Sequence, residues 1–223
     1  MKKDSLGQYV LSELKKRYTV AAVNIGNDAR LGKGMMRFVV ERYEVQDVGN
    51  LCIVNMTAML GLMTMETVVL ACKTKDVPLI NLDTVNAMGN KTQMVEFYDD
   101  RIEKGGTEME EACQALKDAD SGIPDYVSGE HWYSSILYPS SYAKKTKAKD
   151  GRTDVTCRKY FDEYLAEIGR APECDPAEKE EKIRTFAQTL LDKGGPAVDS
   201  MRKMVGEEIT KRLVLEHMYG VKA

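Results

Sequence analysis

The residues best placed to move a proton are two acids set in apolar runs. Asp83 lies in Val77-Pro-Leu-Ile-Asn-Leu-Asp-Thr-Val85, and Glu66 opens the run Thr67-Val-Val-Leu-Ala-Cys72. A carboxylate inside an apolar strand must be paired, exposed by a bend, or held for proton chemistry by a raised pKa. On the residues alone, Asp83 is read first as a strand end that is solvated or hydrogen-bonded. Glu66, next to a turn, is read even more readily as a carboxylate in water.

Other chemistry is thinly represented. The five cysteines (Cys52, Cys72, Cys113, Cys157, Cys174) are odd in number, far apart and form no CxxC pair, and His131 and His217 are the only histidines. That pattern argues against a disulfide scaffold and against a metal site, and reads as reduced thiols. The glycine-rich stretch Gly26-Asn-Asp-Ala-Arg-Leu-Gly-Lys-Gly34 has no strand leading it into a helix, so it reads as a loop and not as a phosphate cradle. P-loop, GxGxxG, HExxH and GxSxG patterns are missing. The lysine run over 144–149 is a solvated loop or, alternatively, a surface that steers an acidic partner.

Positioning Asp83 requires a sheet. Met36–Val45, Leu51–Met59, Thr64–Cys72, Val77–Val85 and Lys91–Tyr98 read as five strands. The joining turns are too short for parallel crossovers, so the sheet is mainly antiparallel. Leu60-Gly-Leu62 reads as a hairpin turn. Strands apolar on both faces, such as 67–72, require cover on both sides. Helices supply it. Leu6, Val10, Leu11 and Leu14 mark an opening helix within the first 18 residues, and Thr107–Asp118 a second. Val155–Ile168 is a third, with Val155, Tyr160, Phe161, Tyr164, Leu165 and Ile168 inward. Asp175-Pro-Ala-Glu178 opens a fourth with an N-cap, an N1 proline and a capping-box glutamate. A last continuous helix runs from Pro196 to about Met218. Ser121–Arg152, with the sole tryptophan Trp132, reads as a loop segment ending in the basic run.

The fold class is therefore α/β, a three-layer α/β/α sandwich around a mainly antiparallel sheet, expected as one domain over residues 1–223. A composition of 43% hydrophobic and 30% charged residues suits such a core. A net charge of -3 argues against nucleic acid as a partner. The charged N-terminal stretch and the lack of long apolar runs predict no membrane partner and a cytoplasmic location. Thirteen methionines fit an interior that accommodates a ligand, or are simply core filler.

The order of these segments resembles the ferredoxin-dependent bilin reductases, in a divergent, phycocyanobilin:ferredoxin oxidoreductase-like form; the relatives of that family include red chlorophyll catabolite reductase. Three segments carry the resemblance. The strand Val77-Pro-Leu-Ile-Asn-Leu-Asp83 is similar to the family's Leu-Pro-hydrophobic-x-x-Asp strand and is followed by Thr92–Asp99. His131-Trp-Tyr-Ser-Ser-Ile-Leu-Tyr-Pro-Ser140 stands at the family's tryptophan segment. Gly195-Pro-Ala197, Met204-Val-Gly-Glu-Glu208 and Leu215–Gly220 are similar to its closing helical part.

The resemblance implies a substrate, biliverdin or a related linear tetrapyrrole, held between the sheet and the C-terminal helices. Reduction would proceed by single-electron steps from external ferredoxin or flavodoxin coupled to proton transfer, with no tightly bound cofactor and no metal. Asp83 takes the place of the family's proton-donating strand aspartate, and Glu66 is nominated as a substitute acid. Asn55, Val68, Asn81, Gly195 and Met201 are nominated to line the pocket. Lys144, Lys145, Lys147, Lys149 and Arg152 are nominated to dock the electron donor, and a haem oxygenase is a candidate supplier of substrate. Two departures stand out. The stretch around Glu66–Val69 lacks the histidine that several members carry, and Gly195 stands where the family has the aspartate of Asp-Pro-Ala. These departures keep open a non-catalytic tetrapyrrole-binding or carrier protein of the same fold.

Overall fold

β-Branched and aliphatic residues recur along the middle of the chain, and in the computed structural model they build one sheet. The structure describes residues 4–104 and 106–222. The strands are β1 (Val20–Val23), β2 (Arg30–Lys33), β3 (Met36–Val45), β4 (Gly49–Ala58), β5 (Met63–Cys72), β6 (Leu79–Ala87), β7 (Asn90–Tyr98) and β8 (Tyr142–Lys147). They lie in the order β1-β3-β4-β5-β6-β7-β8, with β2 also paired to β3, and all pairings are antiparallel. The expected hairpin over residues 60–62 joins β4 to β5.

Three strands escape a sequence reading. β1 and β2 are four residues each, too short to show a period. β8 reads Tyr-Ala-Lys-Lys-Thr-Lys, which looks solvated. Lysine-rich sequence is how an edge strand discourages unwanted pairing, so the 144–149 loop is in part a sheet edge.

Successive strand residues point to opposite faces, and each face has its own helical cover. On one face Ile53, Val68, Leu70, Leu82, Val95 and Phe97 pack under α1 (Leu6–Arg17), α2 (Glu108–Ala119) and α3 (Arg152–Arg170). On the other, Cys52, Val54, Met56, Val69, Leu79 and Tyr98 pack under α4 (Pro176–Lys193), α5 (Pro196–Val205) and α6 (Glu207–Arg212), which continues as a π-turn over Leu213–Met218. This is the three-layer α/β/α sandwich. Thr107 caps α2 in a reciprocal capping box with Glu110, and Asp175 caps α4 by accepting from the Ala177 N–H at 2.9 Å.

Two helical expectations need correction. Val155 is 55% exposed, because it faces outward while its neighbours Thr153 and Asp154, in the same first turn of α3, bond to Gln93 on β7. The last helix is not continuous. Gly206, at φ 83°, caps α5 and starts α6, a left-handed backbone that glycine takes without a Cβ clash.

The C-terminal segment is pinned from below. Asp28 is buried and accepts from Arg212 at 2.5 and 2.8 Å and lies 2.9 Å from His217 Nε2. The Arg212 hydrogen bonds hold its carboxyl down at about 2. A lowered carboxyl pKa gives stability above the unfolded value near 4, lost as pH falls through about 2. Asp28→Asn is expected to cost on the order of 1–2 kcal/mol at pH 7 and clearly less at pH 2, measurable by urea denaturation at both values.

Candidate functional site

The antiparallel register of β5, β6 and β7 decides which side chains share a face. Thr67 faces Asp83, which faces Met94, and Val69 faces Asn81, which faces Glu96. Asn81 and Asp83 on β6 and Met94 and Glu96 on β7 therefore stand on the face covered by α4 to α6. Between this face and those helices lies a cavity of about 390 Å³. Apolar groups dominate its wall: methionines from β3, β4 and β5 (Met36, Met56, Met63, Met65), with Met201 and Met204 from α5 opposite and Gly195 at the α5 N-terminus. Its aromatic side is Tyr98, Tyr133, Phe186 and Tyr219.

Two carboxyls enter this apolar space. Asp83 keeps partial exposure and lines the cavity; it accepts from the Thr67 hydroxyl. Burial, reinforced by the neighbouring Glu96, pushes it up to about 7. Burial also raises Glu96, against the hydrogen bond it accepts from the Tyr98 hydroxyl at 2.7 Å and the field of His131. Two carboxyls in one low-dielectric site cannot both ionise cheaply, so near neutral pH the pair retains a proton. The arrangement can therefore hold an apolar ligand and deliver a proton to it. Asn81 adds a carbonyl oxygen with no hydrogen-bond partner, while its amide donates to the Tyr219 hydroxyl at 3.4 Å.

The tryptophan segment closes one end. Trp132 donates to the Gly194 carbonyl at 3.0 Å, tying the 132–136 turn to the start of α5. His131 stacks on Tyr133 with ring centroids 5.0 Å apart, and Tyr133 meets Tyr98 edge-on at 5.6 Å.

The register separates the remaining nominees from Asp83. Glu66 pairs with Asn55 on β4, and both point to the opposite face, where they line a broader polar cleft with Arg37, Lys91 and Arg158. Glu66 is one residue out of phase with Asp83, so it cannot share its pocket. It accepts from the Gly7 N–H at 3.0 Å and so ties down the first turn of α1. Val68 is fully buried in the core beneath α1 and α3. Asn81, Gly195 and Met201 do meet at the Asp83 cavity.

Among the basic nominees, Lys144 is a structural residue. It is 3% exposed, paired with Asp125 at 2.8 Å and donating to the Ile123 carbonyl at 3.0 Å. Lys145, Lys147, Lys149 and Arg152 are exposed. Lys145 and Lys147 face Thr92 and Asn90, on the same sheet face as Asp83.

Glu96, Tyr98 and Tyr219 were not singled out from sequence. Glu96 sits in Lys91–Tyr98, an alternating strand whose polar positions look solvent-facing. Only the helical layer laid over β7 makes it a pocket acid.

No family model matches the chain, and no curated protein matches it by sequence. A solved structure does: phytochromobilin synthase from tomato in complex with biliverdin, with a TM-score of 0.77 at 11% identity, covering 98% of this chain and 83% of that one. The two chains share a fold. At this identity the likeness extends to the backbone arrangement, the antiparallel sheet between helical layers, and carries no residue roles with it. Among the described residues, no group of three or more His, Cys, Asp or Glu is placed to hold a metal ion.

Proposed function

We propose that this chain binds biliverdin or a related linear tetrapyrrole in the Asp83 cavity and reduces it. The observation that carries the reading is a pair of pKa-raised carboxyls, Asp83 and Glu96, in an apolar cavity between the sheet and the C-terminal helices of a chain with this fold. Each two-electron reduction of a bilin double bond consumes two protons. An external one-electron donor, ferredoxin or flavodoxin, supplies the electrons in succession. Asp83 delivers one proton and Glu96 beside it the other, and both carboxylates are then reprotonated from solvent. No resident cofactor is invoked, because the conjugated substrate itself accepts single electrons. The exposed Lys145, Lys147 and Lys149, with Arg152, form the basic rim nominated for the acidic donor. A haem oxygenase fits as supplier, since its product is the substrate.

Glu66 is not part of this proposal, and Glu96 takes over the second acid role. The observation favouring a carrier without catalysis is that the stretch Glu66–Val69 has no histidine and that Gly195, where the resemblance calls for an aspartate, lines the Asp83 cavity without an acid.

An anaerobic absorbance titration with biliverdin, followed by ferredoxin and a reducing system, tests the reading. A saturable, red-shifted complex that bleaches or shifts on reduction is the expected result. A stable complex indifferent to electrons assigns the carrier role, and no complex at all removes both.

A further inference from the structure

We propose that the end of the sheet formed by the β2–β3, β4–β5 and β6–β7 turns is a docking surface for an anionic lipid bilayer. Such a peripheral contact departs from the expectation of no membrane partner, which rested on the lack of a spanning segment. The strand directions bring these three turns to one end. β3, β5 and β7 begin there, and β2, β4 and β6 finish there. With adjacent strands about 4.8 Å apart, successive turns stand about 10 Å from one another in a row.

Each turn presents large apolar side chains to solvent: Met35 (67% exposed), Leu60 (89%) and Leu62 (69%), and Met88 (80%). Isolated exposed apolar residues are ordinary, but the same chemistry on three neighbouring tips is a patch. The backbone sharpens the point. Met59, Leu60 and Met88 sit at φ 52°, 55° and 49°, the left-handed region where glycine, asparagine or aspartate is the low-energy choice. Methionine and leucine there cost local stability and bury little, so the fold itself gives no reason for them.

Charge selects the occupant. The four segments that end on this edge, residues 33–37, 58–64, 86–91 and 147–152, contain one acid, Asp150, which is engaged by Arg152. Exposed on the same segments are Lys33, Arg37, Lys147, Lys149 and Arg152, in a chain whose net charge is -3. Apolar tips that project separately, flanked by basic side chains, match a soft apolar medium beneath anionic headgroups. A second copy would have to offer three matching sockets, and like-charged rims would oppose it. The apolar lining of the Asp83 cavity also runs up to this end through Met36 and Met63, the first residues of β3 and β5 beyond the tips.

Co-sedimentation with phosphatidylcholine vesicles containing about 30 mol% phosphatidylserine, and with phosphatidylcholine alone, tests the surface. The expected result is binding to the anionic vesicles that weakens with salt. The double variant Leu60→Asn, Met88→Asn is expected to bind at least about tenfold more weakly. Its melting temperature should rise by roughly a few degrees, because asparagine suits the left-handed backbone. Loss of binding together with a raised melting temperature cannot come from misfolding. Undiminished vesicle binding by the variant overturns the proposal, and so does failure of the unaltered chain to sediment with either vesicle. If sedimentation velocity instead shows a dimer that the variant dissociates, and vesicles are not bound, the surface belongs to a second copy and the lipid assignment is wrong.

Discussion

Asp83→Asn is expected to leave the fold and bilin affinity nearly unchanged while slowing proton-coupled reduction by about 10²-fold or more. Asparagine keeps the size and the hydrogen bond with Thr67 but has no proton to give at neutral pH. The same substitution carries an independent signature in stability. Burial and Glu96 hold the Asp83 carboxyl up at about 7, so ionising it is opposed in the folded chain. The sign follows for a raised acid: stability is full below the unfolded value near 4 and is lost as pH rises through about 7. Asp83→Asn is therefore expected to be more stable than the unaltered chain at pH 8, on the order of 2 kcal/mol, and no more stable at pH 4. Urea denaturation at the two pH values checks it. Equal stability at both would show that Asp83 is solvated, and unaltered turnover would remove it from the reaction. Glu96→Gln provides the companion measurement. Removing the neighbouring charge should shift the alkaline limb of the rate profile to lower pH, since Asp83 then loses its proton more readily.

The largest expected loss of stability comes from Lys179→Met. Lys179, on α4, is fully buried and lies 3.1 Å from Asp100 Oδ1 and 3.6 Å from Asp76 Oδ1. It also donates to the Val77 carbonyl at 2.7 Å and the Asp100 carbonyl at 3.1 Å. The two aspartates are themselves committed: Asp76 accepts from the Ile102 and Glu103 N–H groups, and Asp100 from the Leu79 N–H, each at 2.8 Å. One ammonium thus fastens α4 to the start of β6 and the end of β7, the two strands that carry Asp83 and Glu96. Removing it strands two buried carboxylates and is expected to cost about 3–5 kcal/mol, far more than the apolar methionine returns. Adding Asp76→Asn and Asp100→Asn to the variant should recover part of that loss, because the uncompensated charges go with them. A cost below about 1 kcal/mol in the single variant would mean that water, not Lys179, satisfies the pair.

Much of the architecture is legible along the chain because it rests on local rules. The five longer strands declare themselves by β-branched runs and glycine-containing turns, and their short connections force antiparallel pairing. The helix start at Asp175 is legible because capping involves residues two or three apart, and the helix after Thr107 because its apolar residues recur at helical spacing. Asp83 stands out because a carboxylate in Val77–Val85 breaks an apolar pattern. What the sequence could not show are the features that depend on phase between distant segments. Alternation assigns residues within one strand to two faces, but the pairing of Thr67 with Asp83 sets the relative phase of β5 and β6. That one-residue offset sends Glu66, Asn55 and Val68 to the face under α1 and α3 and makes Thr67 the partner of Asp83. β8 and Lys144 were hidden for a similar reason: a lysine-rich edge strand is stabilised by the β7 backbone and by Asp125, neither of which lies beside it in sequence. Glu96 becomes a pocket acid only when the C-terminal helices close over β7 and exclude water. The sequence by itself therefore determined the layers and marked Asp83 as the acid to examine. The tertiary structure alone decided which side chains meet, because face, depth and partner belong to strand register and helix docking rather than to any local run of residues.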